Sequence, residues 1–287
     1  MHEQMYMPII INTKEGKLEM EIAFYILIFV IGTLFGSFYT LAVHRIPKKQ
    51  DIIYTHSYCP KCNHKLGFFE LIPILSYIFL GGKCRHCKEK IRARYLIIEL
   101  LSGILFLAIV ILMRITVNNL TVINIVQLGF IALYITFIIL VCGIDKENRK
   151  IEKSVTIYGI VISILYMVYL YIVEEPNIYR YGIYLLLYSI ILIFDTVTLK
   201  IHAKNTYVNE ILFMIVTMAI FTGEYATGCS LVLTLLIMAI YLVIYKIKNR
   251  KAKFLDKEIV NQMPIGFYLG TSNLIWLVFI LFYNYIS

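Results

Sequence analysis

Charged residues are scarce in this chain: Asp, Glu, Lys and Arg make up 16 % of its 287 residues, against about 25 % in soluble domains. That shortage excludes an ordinary water-exposed globular domain. Acids are rarest, 18 against 27 Lys and Arg. The net charge of +9 is spread over several segments instead of one stripe, so no nucleic-acid partner is expected. A cleaved signal peptide is not expected either, because twenty partly acidic residues precede the first apolar run and no clear small-residue cleavage site follows it. Outside two short motifs the only cysteines are Cys142 and Cys229. Neither has a second cysteine near it, and both read as small apolar packing residues.

Apolar residues are what the chain has in excess. It is 60 % hydrophobic, with 23 Tyr and 17 Phe and a mean hydropathy of +0.78. Uninterrupted apolar runs occur at 21–43, 95–113, 119–144, 154–173, 181–199, 208–222, 228–246 and 264–286. A bilayer core needs about 20 residues of helix, so the expected fold is an all-α integral membrane protein with about eight transmembrane helices; the sixth run is the shortest. Eleven Lys and Arg lie in 44–94, four in 145–153, two in 200–207 and six in 246–263, which together hold 23 of the 27. The positive-inside rule makes these alternate segments cytosolic and puts both termini outside, in a multi-pass protein of the cell membrane. The lipid bilayer is therefore a partner, and anionic lipid is attracted to the inner surface.

Two CxxC pairs stand in the longest basic segment: Cys59-Pro60-Lys61-Cys62 and Cys84-Arg85-His86-Cys87, with 21 residues between Cys62 and Cys84. Two residues between sulfurs let both members of a pair reach one ion at about 2.3 Å, and two such pairs close a tetrahedral zinc shell. Disulfides are the alternative, but they require an oxidising compartment, and this loop reads as cytosolic. His64 and His86 are alternative ligands in principle; with four cysteines at hand they read as solvated loop histidines. The loop has too few apolar residues for a core of its own, so a metal clip would order it. The stretch 71–80, Leu-Ile-Pro-Ile-Leu-Ser-Tyr-Ile-Phe-Leu, is too short to span and is broken by Pro73. It is expected along the interface or re-entering against protein.

Glu99 lies within an apolar run, where an ionisable residue is by default a functional candidate. Its place about one turn inside the cytosolic end moderates that argument, and pairing with Arg92 or Arg94 is the structural alternative.

Gly36-Ser37-Phe38, Arg45-Ile46-Pro47, the first CxxC, Leu71-Ile72-Pro73, Ser76-Tyr77, the second CxxC, Arg92-Ala93-Arg94-Tyr95 and Glu99-Leu100-Leu101-Ser102-Gly103 follow in one order. Over residues 32–103 this resembles the type IV prepilin peptidase family. These are membrane aspartic enzymes that trim prepilin leaders and, in bifunctional members, methylate the new N-terminus. The resemblance implies a type IV prepilin or pseudopilin substrate with a short basic leader, cut after glycine at the cytosolic face, and S-adenosylmethionine as methyl donor. No glycine-rich methyl-donor fingerprint accompanies it. Arg45 and Glu99 then become candidates for binding substrate or methyl donor. The four cysteines hold zinc either to order the loop or with a direct part in methyl transfer. The implied division is an extracytosolic segment 1–20, an N-terminal prepilin-peptidase domain 21–113 carrying the zinc loop, and a polytopic aspartic peptidase domain 114–287.

Aspartic proteolysis needs two carboxyls sharing a water, one ionised and one protonated. Ile144-Asp145, at the cytosolic end of the third run, resembles the family's first catalytic motif, at a depth that water and substrate are expected to reach. Glu152 stands roughly where the family carries a proline. The second motif, Gly-x-Gly-Asp, aligns with Thr206-Tyr207-Val208-Asn209, so both glycines and the Asp are absent. An amide cannot exchange protons as a carboxylate does. Glu210 is one residue on, about 100° round a helix, and Asp195 is another acid at similar depth. Three readings follow: Glu210 substitutes with local reshaping, Asp195 swings in, or proteolysis has been lost. The last would leave a methyltransferase or a pilus-assembly scaffold. Met263-Pro264-Ile265-Gly266-Phe267-Tyr268-Leu269-Gly270 again resembles the family.

Overall fold

The computed structural model describes residues 14–173, 177–201, 207–248 and 263–286. It is all-helical, as its composition requires. Among the described residues, seven long helices and one short one run in the order α1 Lys14–Arg45, α2 Leu75–Phe79, α3 Arg94–Leu112, α4 Val122–Asn148, α5 Lys153–Val173, α6 Ile178–Ile201, α7 Tyr207–Lys248 and α8 Ile265–Ile286. Among the described residues there is no β-strand, only isolated antiparallel bridges between Tyr58 and Lys65 and between Lys83 and Lys90. Among the described residues six helices, α1, α3, α4, α5, α7 and α8, are long and apolar enough to cross a membrane. The run at 181–199 lies in α6, while those at 208–222 and 228–246 share α7. Gly223, at φ 84° and ψ 163°, interrupts α7 between the two, a conformation open to glycine because it has no Cβ. The N-terminal segment 1–20 lies outside the described residues up to position 13 and is helical from Lys14.

The chain divides into two compact units, one of residues 1–45, 50–128 and 284–287, the other of 46–49 and 129–283. In the first unit, α1 and α3 pack along small residues. A Cβ on Gly32 would stand 2.8 Å from Ser102 O, and one on Gly36 would stand 2.7 Å from Glu99 Cα. Backbone approach of this kind is how spanning helices associate where no hydrophobic driving force exists between them. Gly36→Leu is expected to force the two helices apart, lowering the stability of the detergent-solubilised protein by about 1–3 kcal/mol, the usual range for overpacking. Thermal unfolding followed by circular dichroism reads that loss, and an unchanged melting temperature contradicts it.

In the second unit, α6 and the first half of α7 run antiparallel. Asn209, in the first turn of α7, bonds Asp195 near the end of α6. Glu224, one residue beyond the Gly223 break, pairs with Arg180 near the start of α6 at 3.1 Å. Between these ends Met167, Tyr184, Tyr188, Ile191, Phe213, Val216 and Ile220 form an apolar cluster. Buried side-chain amides and hydroxyls find partners in one another here, as a low-dielectric interior favours. The Asn273 amide accepts from Tyr134 Oη at 2.5 Å and donates to Thr222 Oγ1 at 3.0 Å and Ser230 Oγ at 3.3 Å.

Candidate active site and metal centre

Each CxxC pair is built on the same turn. Cys59 N–H donates to His64 O and Asn63 N–H to Cys59 O; Cys84 N–H donates to Glu89 O and Lys88 N–H to Cys84 O. Both turns close through a left-handed residue directly after the second cysteine, Asn63 at φ 56° and Lys88 at φ 57°. Asn tolerates that region and Lys does so less readily. The turns bring the four Sγ atoms within 4.8 Å of one another, with Cys59–Cys87 at 3.8 Å and Cys62–Cys84 at 4.0 Å. A disulfide would require about 2.05 Å, and all four cysteines are free. Four sulfurs each about 2.3 Å from a central ion in a tetrahedron stand about 3.8 Å apart, so the donor set and its spacing fit zinc. Backbone N–H groups of Cys62 and Lys61 directed at Cys59 lower its thiol to about 6. Cys87 receives the Glu89 N–H, which pulls its thiol down, yet desolvation and the neighbouring thiols raise it to about 11. The two histidine rings lie against each other, centroids 3.6 Å apart and tilted by 35°, and His64 Nε2 lies 3.4 Å from Glu70; neither joins the sulfur cluster.

Arg45 and Glu99 are both engaged in holding the loop. The buried Arg45 guanidinium donates from Nη1 to Asp51 O at 2.9 Å and Thr55 O at 2.8 Å, and from Nη2 to His56 O at 3.1 Å. Asp51 shapes the turn being clasped, accepting from the N–H groups of Ile53, Tyr54 and Thr55, which lower its carboxyl below the usual range against a small opposing effect of burial. Glu99 Oε2 accepts from Ile74 N–H at 2.8 Å. Ile74 has φ 62°, a conformation strained for a β-branched residue. The carboxylate of α3 thus fixes the turn that follows Pro73 and starts α2. Glu99→Ala is expected to release this turn at a cost of about 1 kcal/mol, as for the loss of a half-buried hydrogen bond. Ile74→Gly, relieving the left-handed strain, is expected to move stability the other way. Opposite shifts in the melting temperatures of the two variants check the assignment; a stabilising Glu99→Ala contradicts it.

The candidate acids gather at one end of the second unit. Asp145, in the last turn of α4, is 0 % exposed. Tyr207 Oη donates to its Oδ1 at 2.9 Å and Phe267 N–H to its Oδ2 at 3.0 Å. The same phenol oxygen accepts from Ile265 N–H at 3.0 Å, so Tyr207 ties the start of α7 to the start of α8 over the carboxyl. Gly266 leaves room for this: a Cβ there would sit 3.2 Å from Asp145 Oδ2. The sequence leads one to expect a carboxyl open to water, and here Tyr207 and the N-terminus of α8 enclose it. Asp195 accepts from Asn209 Nδ2 at 2.8 Å and lies 3.4 Å from Lys153 Nζ at the start of α5. Glu210 is 3 % exposed, and its Oε2 has no hydrogen-bond partner; Thr156, Asp195 and Lys153 are among its neighbours. Tyr207 and Asn209, two residues apart in one turn of α7, thereby hold Asp145 and Asp195 to the same turn.

Sequence reasoning missed Tyr207 and the Phe267 N–H. Nothing marks Tyr207 among 23 tyrosines, and a backbone donor leaves no trace in residue identity. Thr206, first residue of the second motif, lies outside the described residues.

Comparison with known proteins falls on the first unit. The chain is similar there to the Bacterial Peptidase A24 N-terminal domain, whose family model matches residues 30–113. That stretch takes in all four loop cysteines, Arg45, Ile74 and Glu99, and it agrees with the resemblance read from residues 32–103. The chain is 42 % identical over 85 residues to the "Prepilin leader peptidase/N-methyltransferase" of Myxococcus xanthus, covering 30 % of this chain and 25 % of that one. It is 40 % identical over 89 residues to the protein of the same name from Vibrio cholerae, covering 28 % and 35 %. With that of Bacillus subtilis it shares 44 % over 82 residues, covering 29 % and 33 %. The chain thus spans about a quarter to a third of the length of these curated relatives. Asp145, Asp195, Asn209 and Glu210 lie beyond the matched stretch. No solved structure matches the chain.

Proposed function

We propose that this multi-pass membrane protein is a prepilin leader peptidase that also methylates the N-terminus it exposes. The match of residues 30–113 to the Bacterial Peptidase A24 N-terminal domain, with the likeness over part of the chain to proteins named for both activities, supports the family. The observation behind the proteolytic half is the single turn of α7 from which Tyr207 bonds Asp145 and Asn209 bonds Asp195. In this reading Asp145 and Asp195 are the catalytic pair. One carboxyl draws a proton from the attacking water while the other gives one to the oxygen of the scissile peptide. Asn209 orients Asp195 in place of the family's own aspartate, and Glu210 is the second candidate for the partner acid. For water to reach Asp145, the Tyr207 phenol has to turn away from Oδ1.

The metal in Cys59, Cys62, Cys84 and Cys87 is zinc in this reading, acting as the crosslink that a core-poor loop requires. Methyl transfer rests on the names of the relatives and calls for S-adenosylmethionine as donor. Glu99 and Arg45 serve it indirectly, by shaping the loop in which substrate or donor is held. The division into a zinc-bearing part, 21–113, and a peptidase part, 114–287, and the placement of segment 1–20 outside the cell belong to the same proposal.

The test is purified protein with a prepilin-like peptide and S-adenosylmethionine. Release of the leader and a mass gain of one methyl group on the new N-terminus are expected. An intact peptide in the presence of bound metal, with no methyl gained, defeats the reading in favour of a scaffold.

The cytosolic placement of loop 44–94 in the cell membrane has its own check. In a Cys229→Ser background, a single cysteine introduced at position 250 is expected to be shielded from a membrane-impermeant thiol reagent in intact cells. One at Tyr225, which is 92 % exposed, is expected to label. The reverse pattern inverts the topology and moves the acids to the other face.

A further inference from the structure

Three phenylalanines outside the spanning helices are among the most exposed apolar side chains of the first unit: Phe68 at 78 %, Phe69 at 79 % and Phe79 at 84 %. They sit on two short turns that flank the Pro73 break, the 3₁₀ turn Phe68–Glu70 and α2. Phe69, Ile72, Leu75, Phe79 and Leu80 line one groove of about 210 Å³, to which Glu70 and Arg85 also contribute. Large aromatic side chains gathered in this way in water are unfavourable, and a contiguous exposed apolar patch marks a surface that something covers.

The hydrogen bond between Ile74 N–H and Glu99 sets the depth of this segment. Glu99 is the sixth residue of α3, a helix long and apolar enough to span. Five residues of helix rise about 7–8 Å, so α2 is pinned to the level of the first turns of a spanning helix, where headgroups give way to acyl chains. The surrounding loop 44–94 carries eleven Lys and Arg against three acids. Both of its ends enter spanning helices, at Arg45 and Arg94, which holds the ends of the loop at the bilayer surface.

We propose that the Phe68–Phe79 segment is an interfacial wedge, its aromatic face inserted into the acyl boundary of an anionic leaflet and its basic surroundings against the phosphates. Apolar burial together with attraction to anionic lipid is what holds such elements at an interface. The wedge is independent of the peptidase reading, since it concerns lipid and not the acids.

The experiment uses the full-length, metal-loaded protein in nanodiscs. Trp276→Phe removes the only native indole, and Phe68→Trp or Phe79→Trp places a reporter on the wedge. With brominated acyl chains in a bilayer containing phosphatidylglycerol, emission from either reporter is expected to fall about twofold, as for an indole about 5–10 Å into the boundary. Aqueous iodide is expected to have little effect. Reporters reached by iodide and indifferent to the bromines overturn the proposal. Equal bromine quenching in phosphatidylcholine alone overturns the anionic part of it. A photoreactive benzophenone amino acid at Phe69, with Trp276 retained, gives a second readout in native membranes. Crosslinks to phospholipid support the wedge; crosslinks to a protein assign the face to a partner instead.

Discussion

Asp145→Asn is expected to lower leader cleavage by about 10²–10⁴-fold, the range lost when a positioned proton-transfer group is removed. The amide keeps the shape of the side chain and its place beneath Tyr207 and the Phe267 N–H, so the loss is chemical. Asp195→Asn is expected to fall as far, because neither carboxyl can both take a proton from the water and return one to the substrate in the time of one step. Glu210→Gln is expected to cleave nearly as well as the wild type, since Asp195 is the acid that Asn209 binds. Asn209→Asp restores the residue that the family carries but sets it 2.8 Å from Asp195, where two carboxyls hold one proton between them. Activity is expected to be retained or raised, with an altered pH profile. Leader cleavage by each purified variant, compared at equal metal content, separates the cases. If Glu210→Gln abolishes cleavage while Asp195→Asn retains it, the second acid is Glu210. A wild type that does not cleave, set beside an Asn209→Asp variant that does, makes the chain a decayed peptidase.

Cys62→Ser is expected to leave the loop without bound metal at stoichiometric zinc and to open residues 46–93 to protease, while the melting behaviour of the second unit changes little. Structural zinc in small fingers contributes about 10–16 kcal/mol of apparent binding free energy near neutral pH, far more than the few apolar contacts of this loop. Acidification is expected to act in the same direction. Binding requires thiolates and so releases protons, which makes falling pH oppose binding and rising pH favour it, until all four sulfurs are deprotonated. Metal-to-protein ratios by elemental mass spectrometry, measured across pH on wild type and variant, read both effects. Wild-type protein that holds no zinc and has its four thiols oxidised in pairs would falsify the metal centre.

Much of the first unit was legible in the order of its residues. Metal-ligand spacing is local: two residues between cysteines and a tight turn are set within about five positions, so a single sequence reveals the donor set. The Pro73 break was legible for the same reason. What Glu99 does was not. Its carboxylate meets Ile74 N–H from 25 positions away, and the backbone strain at Ile74 is invisible to residue identity. Gly32 and Gly36 stand four residues apart in α1, about one helical turn, but only the approach of Ser102 and Glu99 to their missing side chains explains them.

The sequence by itself determined that the chain is helical and membrane-spanning, that the loop between its first two spans holds four metal-ready thiols, and that Asp145 ends a span. Each of these follows from composition or from spacing within one or two helical turns, where covalent geometry does the arranging. Only the tertiary structure decided that Asn209 serves Asp195 through a hydrogen bond, that a tyrosine covers Asp145, and that Arg45 and Glu99 shape a loop. The first two depend on side chains contributed by different helices and the third on helix-end side chains meeting loop backbone; such meetings are fixed by how the chain packs where buried polar groups have no partner except one another.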